Sequence, residues 1–207
     1  MREFFNPARR WPAEQTRLHV YHQPDVDALA PLLKIYCPIL ADAGFLAVVP
    51  DRWLHLTIAQ ITTPTADIDP AARAQLAAAL RERLGELEPI RVTVGPALVG
   101  DTSLVLDVTP DHDVTALAAA AVEVIDTVLG PGTADLAANE RPHITLAYGT
   151  GTGDSGPLGG RLRRATGTRT ELLVDLVDLV DVVQDPPCYR WHNISALPLA
   201  PTRQPRS

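Results

Sequence analysis

Apolar and polar residues alternate in short runs along much of the chain, and a period of two marks strands with one buried face. Arg-Leu-His-Val-Tyr-His at 17–22 reads as such a strand, closed by Gln23-Pro24-Asp25. Residues 45–49, 53–61 and 141–148 read likewise, with Pro50-Asp51 as a turn. Residues 90–98 and 103–108 form a pair around Gly100-Asp101. Residues 172–184 carry aspartates at spacing three, which suits a helix face, but Val and Leu dominate and proline follows. One strand is therefore predicted there, in a hairpin with 189–197 across Asp185-Pro186-Pro187.

Between the strands the period lengthens. Leu29, Leu32, Leu33, Tyr36 and Leu40 recur at three and four, predicting a helix over 26–43 with Gly44 as its C-terminal cap. An alanine-rich helix is predicted over 70–87, with Pro70 in its first turn. A third helix starts at Asp111 or Asp113, runs to Leu129 and is ended by 130–133. A glycine-rich stretch, 149–156, reads as a surface loop or a lid, followed by a short basic helix over 157–164. Residues 1–16 read as an irregular arm, and the chain is predicted to fray from Pro198. Helices mixed with many adjacent strands predict an α+β fold with antiparallel sheets. Each half of the chain contains one strand of the form His-apolar-Thr-apolar, a weak internal echo.

Composition narrows the picture. The 207 residues, 46% apolar and 21% charged, can bury one good core or two small lobes. A net charge of -7 denies the chain the broad basic face that holds a DNA duplex, yet allows a local positive pocket for one or two phosphates. Cys37 and Cys188 are the only cysteines, so neither a disulfide framework nor a CxxC zinc site is expected. An acid and a proline near the N-terminus argue against a signal peptide, and aspartates interrupt the most apolar run. No membrane segment and a reducing, cytoplasmic setting are expected.

The chemistry is carried by Trp53-Leu54-His55-Leu56-Thr57-Ile58-Ala59 and Arg141-Pro142-His143-Ile144-Thr145-Leu146-Ala147-Tyr148. In a strand, alternate side chains share a face. Trp53, His55, Thr57 and Ala59 are thus predicted to point one way, as are Arg141, His143, Thr145 and Ala147. Leu54, Leu56, Ile58, Ile144, Leu146 and Tyr148 point to the core. A lone His-x-Thr is usually incidental; two in matching apolar frames, 88 residues apart, point to one shared site. Phosphodiester cleavage needs a base for the attacking oxygen and an acid for the leaving oxygen, and imidazole supplies either near neutral pH. Thr57 and Thr145 can donate to the non-bridging oxygens as charge builds. Catalytic roles therefore fall to His55, His143, Thr57 and Thr145, with no metal and no cofactor.

These paired motifs resemble those of the two-histidine phosphoesterase superfamily, which includes the proteins named RNA 2′-5′ ligases, RNA-end cyclic phosphodiesterases and cyclic nucleotide phosphodiesterases. The resemblance extends over roughly residues 17–199 and implies two pseudo-symmetric lobes around a central cleft, each giving one His-x-Thr. The resulting organisation is an arm (1–16), one bilobal domain (17–199) and a tail (200–207). It also implies opening of a 2′,3′-cyclic phosphate on a nucleotide or RNA end, usually to a 2′-phosphate, without a cofactor. Many RNA-end members carry an arginine soon after the second threonine; here the chain reads Leu146-Ala147-Tyr148-Gly149, nearer the cyclic phosphodiesterase branch. No nucleotidyl-transfer lysine motif accompanies the motifs, and Lys34 is the only lysine.

Further candidates for substrate binding are Trp53, by stacking on a base; Arg141, by neutralising phosphate; and His19 and Tyr21, along the cleft wall. The resemblance adds Tyr189, which shares a face with Trp191, as a tyrosine that reaches the phosphate. Each has a structural alternative, in core packing or a surface ion pair. His22, His112 and His192 lack a partner motif, and Arg161, Arg163, Arg164 and Arg169 form a basic cluster that reads as a solvated helix face or, alternatively, as an attractor for a nucleotide phosphate or RNA end. The rival functions are cleavage of linear 2′-5′ linkages, a non-catalytic nucleotide or RNA-end binding module, and a metal site that lacks an evident third ligand. Oligomeric state is not legible in the sequence.

Overall fold

The strands assemble into one curled antiparallel sheet. The computed structural model describes residues 1–135, 141–165 and 168–200. In chain order they form β1 (Thr16–His22), α1 (Val26–Ala41), β2 (Leu46–Val48), β3 (Leu56–Pro64), α2 (Pro70–Leu84), β4 (Ile90–Val99), β5 (Ser103–Thr109) and α3 (Asp111–Leu129). Then come β6 (Ala134–Asp135), β7 (His143–Gly149), α4 (Gly156–Arg164), β8 (Thr170–Val174), β9 (Leu176–Asp185) and β10 (Cys188–Pro198). The sheet order is β10-β9-β1-β3-β7-β5-β4-β8, with β2 on β7 and β6 on β3.

The sheet divides into two lobes at its middle, where β3 and β7 share one residue pair, Leu56 opposite Ile144. Beyond that pair the strands part, β3 taking β6 and β7 taking β2 as partners. Leu56 and Ile144 are also 88 residues apart, so the pseudo-two-fold axis passes between them. The first lobe is β10-β9-β1-β3 with β6, covered by α2 and α3; the second is β7-β5-β4-β8 with β2, covered by α1 and α4. Each half of the chain thus lends its first helix and following short strand to the other lobe. Leu29, Leu32, Tyr36 and Leu40 on α1 and Leu76, Leu80 and Leu84 on α2 are fully buried, as the helical spacing requires. Pro31 and Pro38 lie inside α1 on its exposed side, where water can take the carbonyls they leave unpaired.

Several boundaries differ from expectation. The predicted strand 172–184 is two strands interrupted at Asp175: β8 pairs with β4 in one lobe, β9 with β1 and β10 in the other. Helix α1 ends at Ala41 with Asp42 as its cap, so Gly44 lies beyond it, and α2 stops at Leu84 with Gly85 as cap. Pro110, not an aspartate, takes the N-cap position of α3, and Asp111 and Asp113 fall in the first turn. Asp51–Trp53 is a 3₁₀ turn, so β3 starts three residues later than predicted. The chain stays ordered past Pro198: Leu199 is buried and donates to the Asp175 carbonyl, and Ala200 donates to that of Leu87. The remainder of the tail, 201–207, lies outside the described residues.

The N-terminal arm is bound along its length. Arg2 N–H donates to Asp101 O and Phe4 N–H to Gly149 O, on the second lobe. Trp11 N–H donates to Gln184 Oε1 at 2.8 Å, on the first. A Cβ at Gly149 would collide with the Arg2 carbonyl, so glycine permits this close passage. The arm therefore spans both lobes.

Candidate active site

The two His-x-Thr segments open onto one cleft of about 600 Å³ between the lobes. His55, Thr57, Tyr21 and Gln60 line it from the first lobe, and His143, Thr145, Tyr148 and Ser103 from the second. His55 Nδ1 lies 2.9 Å from the Trp53 carbonyl oxygen, and His143 Nδ1 lies 2.8 Å from that of Arg141. A carbonyl only accepts, so each Nδ1 carries a proton and each Nε2 is the nitrogen left for chemistry. The same backbone device, two residues upstream, thus orients both rings.

The two histidines differ in surroundings. His55 is 8% exposed, with Tyr21 stacked on its ring at 4.1 Å and Trp191 edge-on at 5.0 Å. Burial pushes its pKa down to about 4; the Trp53 carbonyl opposes the shift and the nearby His143 adds to it. His55 is therefore a neutral imidazole at physiological pH. His143 is half-buried, opposite Asp107 on β5.

Two bulges decide what else faces the cleft. Val20 and Tyr21 on β1 pair with Ala59 and Thr57 on β3, leaving Ile58 extra. Leu104 and Val105 on β5 pair with Ala147 and Thr145 on β7, leaving Leu146 extra. An extra residue reverses the alternation beyond it. Ala59 and Ala147, predicted on the site face, are fully buried in the core. Gln60 and Tyr148 line the cleft instead: Tyr148 is buried and packs in the core, as predicted, but does not point away from the cleft. They too are 88 residues apart, a signal present in the sequence that strict alternation conceals. Burial pushes the Tyr148 phenol well above its usual value, Tyr189 adding to the shift and a hydrogen bond with Thr145 opposing it, so Tyr148 remains a donor.

Of the other candidates, Tyr21 and Tyr189 line the cleft, and Trp53, Arg141 and His19 do not. Trp53, in its 3₁₀ turn, packs on Trp191 at 4.8 Å. Arg141 is drawn to Asp107, with nitrogen–oxygen distances of 3.2 and 3.3 Å. His19 is 2% exposed, sandwiched between Trp11 and Tyr21, and burial drives its pKa down to about 3, with His55 adding to the shift. The basic helix α4 packs on α1 and β4, away from the cleft, and Arg161 pairs with Asp42 at 2.7 Å. The stretch after β7 is tied to the arm and to Phe45 by Gly153 N–H to Met1 O and Thr150 N–H to Phe45 O, and is not a lid. His22 is buried, its Nδ1 2.9 Å from Leu176 O, and His112 and His192 are exposed. Sequence reasoning misses the arm's part in the site: Phe4, Arg9 and Trp11 form one end of the cleft wall. Among the described residues, no group of three or more His, Cys, Asp or Glu is arranged to hold a metal ion. No described helix is long and apolar enough to cross a membrane.

Comparison with known proteins agrees with this fold. The model of the 2′-5′ RNA ligase superfamily matches residues 23–185. No curated protein matches the sequence. Among solved structures, TT0787 of Thermus thermophilus is 19% identical, with TM-score 0.66 over 90% of this chain and 100% of its own. E. coli LigT complexed with ATP is 14% identical, with TM-score 0.65 over 91% of this chain and 100% of its own. LigT complexed with 3′-AMP gives 14% and 0.66, over 90% and 99%. At these identities the likeness to the solved structures is one of fold.

Proposed function

Because the chain belongs to the 2′-5′ RNA ligase superfamily, we propose that it is a phosphoesterase that opens a 2′,3′-cyclic phosphate on a nucleotide or RNA end, leaving a 2′-phosphate. The observation that carries this reading is the pair of Nδ1–H to carbonyl bonds, which leave two Nε2 atoms for one cleft. His55, held neutral by burial, takes the proton of the attacking water. His143, on the cleft's other wall, delivers a proton to the departing 3′-oxygen. Thr57, Thr145 and the protonated Tyr148 donate to the non-bridging oxygens, where negative charge grows as water adds to phosphorus. This set of groups supplies acid, base and anion stabilisation from side chains alone.

The test is turnover of a panel: 2′,3′-cyclic mononucleotides, a cyclic-ended oligonucleotide, ADP-ribose 1″,2″-cyclic phosphate and a linear 2′-5′ dinucleotide, with products assigned by phosphorus NMR. Hydrolysis of the cyclic phosphates is expected, and His55→Ala or His143→Ala should each lower kcat by about 10²–10⁴. The double variant should lose far less than the product of the two, since they act as a unit. Cleavage restricted to the linear dinucleotide, or nucleotide binding without turnover of any member, would overturn the reading.

A further inference from the structure

The cleft, at about 600 Å³, is larger than one phosphate needs, and the part of it away from the His-x-Thr pairs is built from different residues. Phe4, Arg9 and Trp11 of the arm meet Arg17 of β1, Gln184 of β9 and Tyr189 of β10 there. Arg2, Arg10, Arg83, Arg141, Arg161 and Arg190 each pair with a carboxylate. Arg9 and Arg17 pair with none among the described residues and, unlike the other arginines without a carboxylate there, they line the cleft. Arg17 lies over the Trp11 ring at 4.5 Å, and its buried Nε has no hydrogen-bond partner among the described residues. Arg9 lies over Phe4 at 5.3 Å, and among the described residues its only polar side-chain contact is a long one, 3.5 Å, to Thr102 Oγ1. Both sit beside Tyr189, where burial raises the phenol's pKa and the two guanidinium charges act against that rise. The arm that brings Arg9 and Trp11 here is fastened by Gln184, whose Oε1 accepts from Trp11 N–H and whose Nε2 donates to the Arg9 carbonyl at 3.1 Å. Asp135, which also lines the cleft, is on β6, across β3 from β1, the strand that carries Arg17.

Two unpaired cations on aromatic platforms, in a chain of net charge -7, form an anion site. We infer that Arg9 and Arg17 hold a second phosphate of the substrate, one that is not cleaved, with Trp11, Phe4 and Tyr189 against the nucleoside between the two phosphates. The preferred substrate then carries a phosphate on the 5′ side of the nucleoside whose 2′,3′-cyclic phosphate is opened. A terminal 5′-phosphate and an internucleotide phosphate share that chemistry. This inference rests on the proposed reaction for its placement of the cleaved phosphate.

Three substrates separate the cases: adenosine 2′,3′-cyclic phosphate, the same compound bearing a 5′-phosphate, and an adenosine dinucleotide with a cyclic 3′ end. The native protein should show kcat/KM about tenfold or more higher for one or both substrates with a second phosphate, as charge-assisted hydrogen bonds allow. The monoester and the dinucleotide tell which source of phosphate is preferred. Arg9→Gln combined with Arg17→Gln should reduce that ratio to near one. Arg9→Gln alone, on the exposed arm, gives a partial loss and covers the case where the Arg17 variant does not fold. Equal kcat/KM in the native protein, or a preference that survives the substitutions, overturns the second site. Should the native protein turn over none of the three, calorimetry with adenosine 2′-phosphate and adenosine 2′,5′-bisphosphate decides. Tighter binding of the bisphosphate that is lost with the arginines upholds the site while the reaction falls, and equal binding overturns the site.

Discussion

At the scale of single residues, His55 and His19 are bases placed where charge is costly. Both have folded-state values below the ordinary 6.5, about 4 and about 3, chiefly through burial. In the unfolded chain each takes a proton near pH 6.5, whereas in the folded protein each resists it. Their contribution to stability is therefore complete above pH 6.5 and is lost as pH falls through about 4 and then about 3. Replacing His19 with leucine should flatten that acid loss by an amount on the order of a few kcal/mol, measured by urea titrations across the range. In the proposed mechanism the same burial sets the acid limb of catalysis. kcat/KM should fall only as pH approaches about 4, and Tyr21→Ala, by opening one face of the His55 ring to water, should move that limb upward toward 6.5. A pH–rate profile of each protein reads the shift directly.

At the scale of elements, the bulges at Ile58 and Leu146 do what pattern reading cannot anticipate. Period-two alternation locates both His-x-Thr pairs, because pairing is regular up to each threonine. It misassigns the residues beyond, because a one-residue shift of register leaves no mark in the pattern of apolar side chains. The division at Asp175 is hidden for a related reason: Val and Leu run through it, and only the change of partner strand, from β4 to β1 and β10, makes two strands of one. Trp53 and Arg141 precede the regular pairing, so alternation assigns them faces that their backbones do not have. The arm reads as irregular because it binds through scattered backbone groups and aromatic contacts, neither of which has a period. Its attachment is sensitive at Gly149, where a methyl group meets the Arg2 carbonyl. Gly149→Ala should cost about 1–3 kcal/mol and release the arm. Denaturant melts would register the cost, and faster limited proteolysis before Thr16 would register the release.

At the scale of the molecule, helix class, sheet class and the two halves are legible in the sequence, since they follow from periodicity and from the repeated motif. The exchange between halves is not, because sequence spacing does not say on which lobe a helix packs. Helix α1 follows a strand of the first lobe and covers the second, while α3 follows a strand of the second and covers the first. Residues 1–88 and 89–207, expressed apart, should therefore show little cooperative unfolding by circular dichroism. Mixed, they should regain it, because each supplies the cover the other lacks.

The placement of β9 and β10 has a bearing on synthesis. These strands, made late, complete the lobe that β1 begins, and β1 lies between β9 and β3. A nascent chain on the ribosome thus holds one flank of β1 without its neighbour until β9, which starts at Leu176, has emerged. Throughout that interval the open flank is a template on which a second unfinished chain can pair.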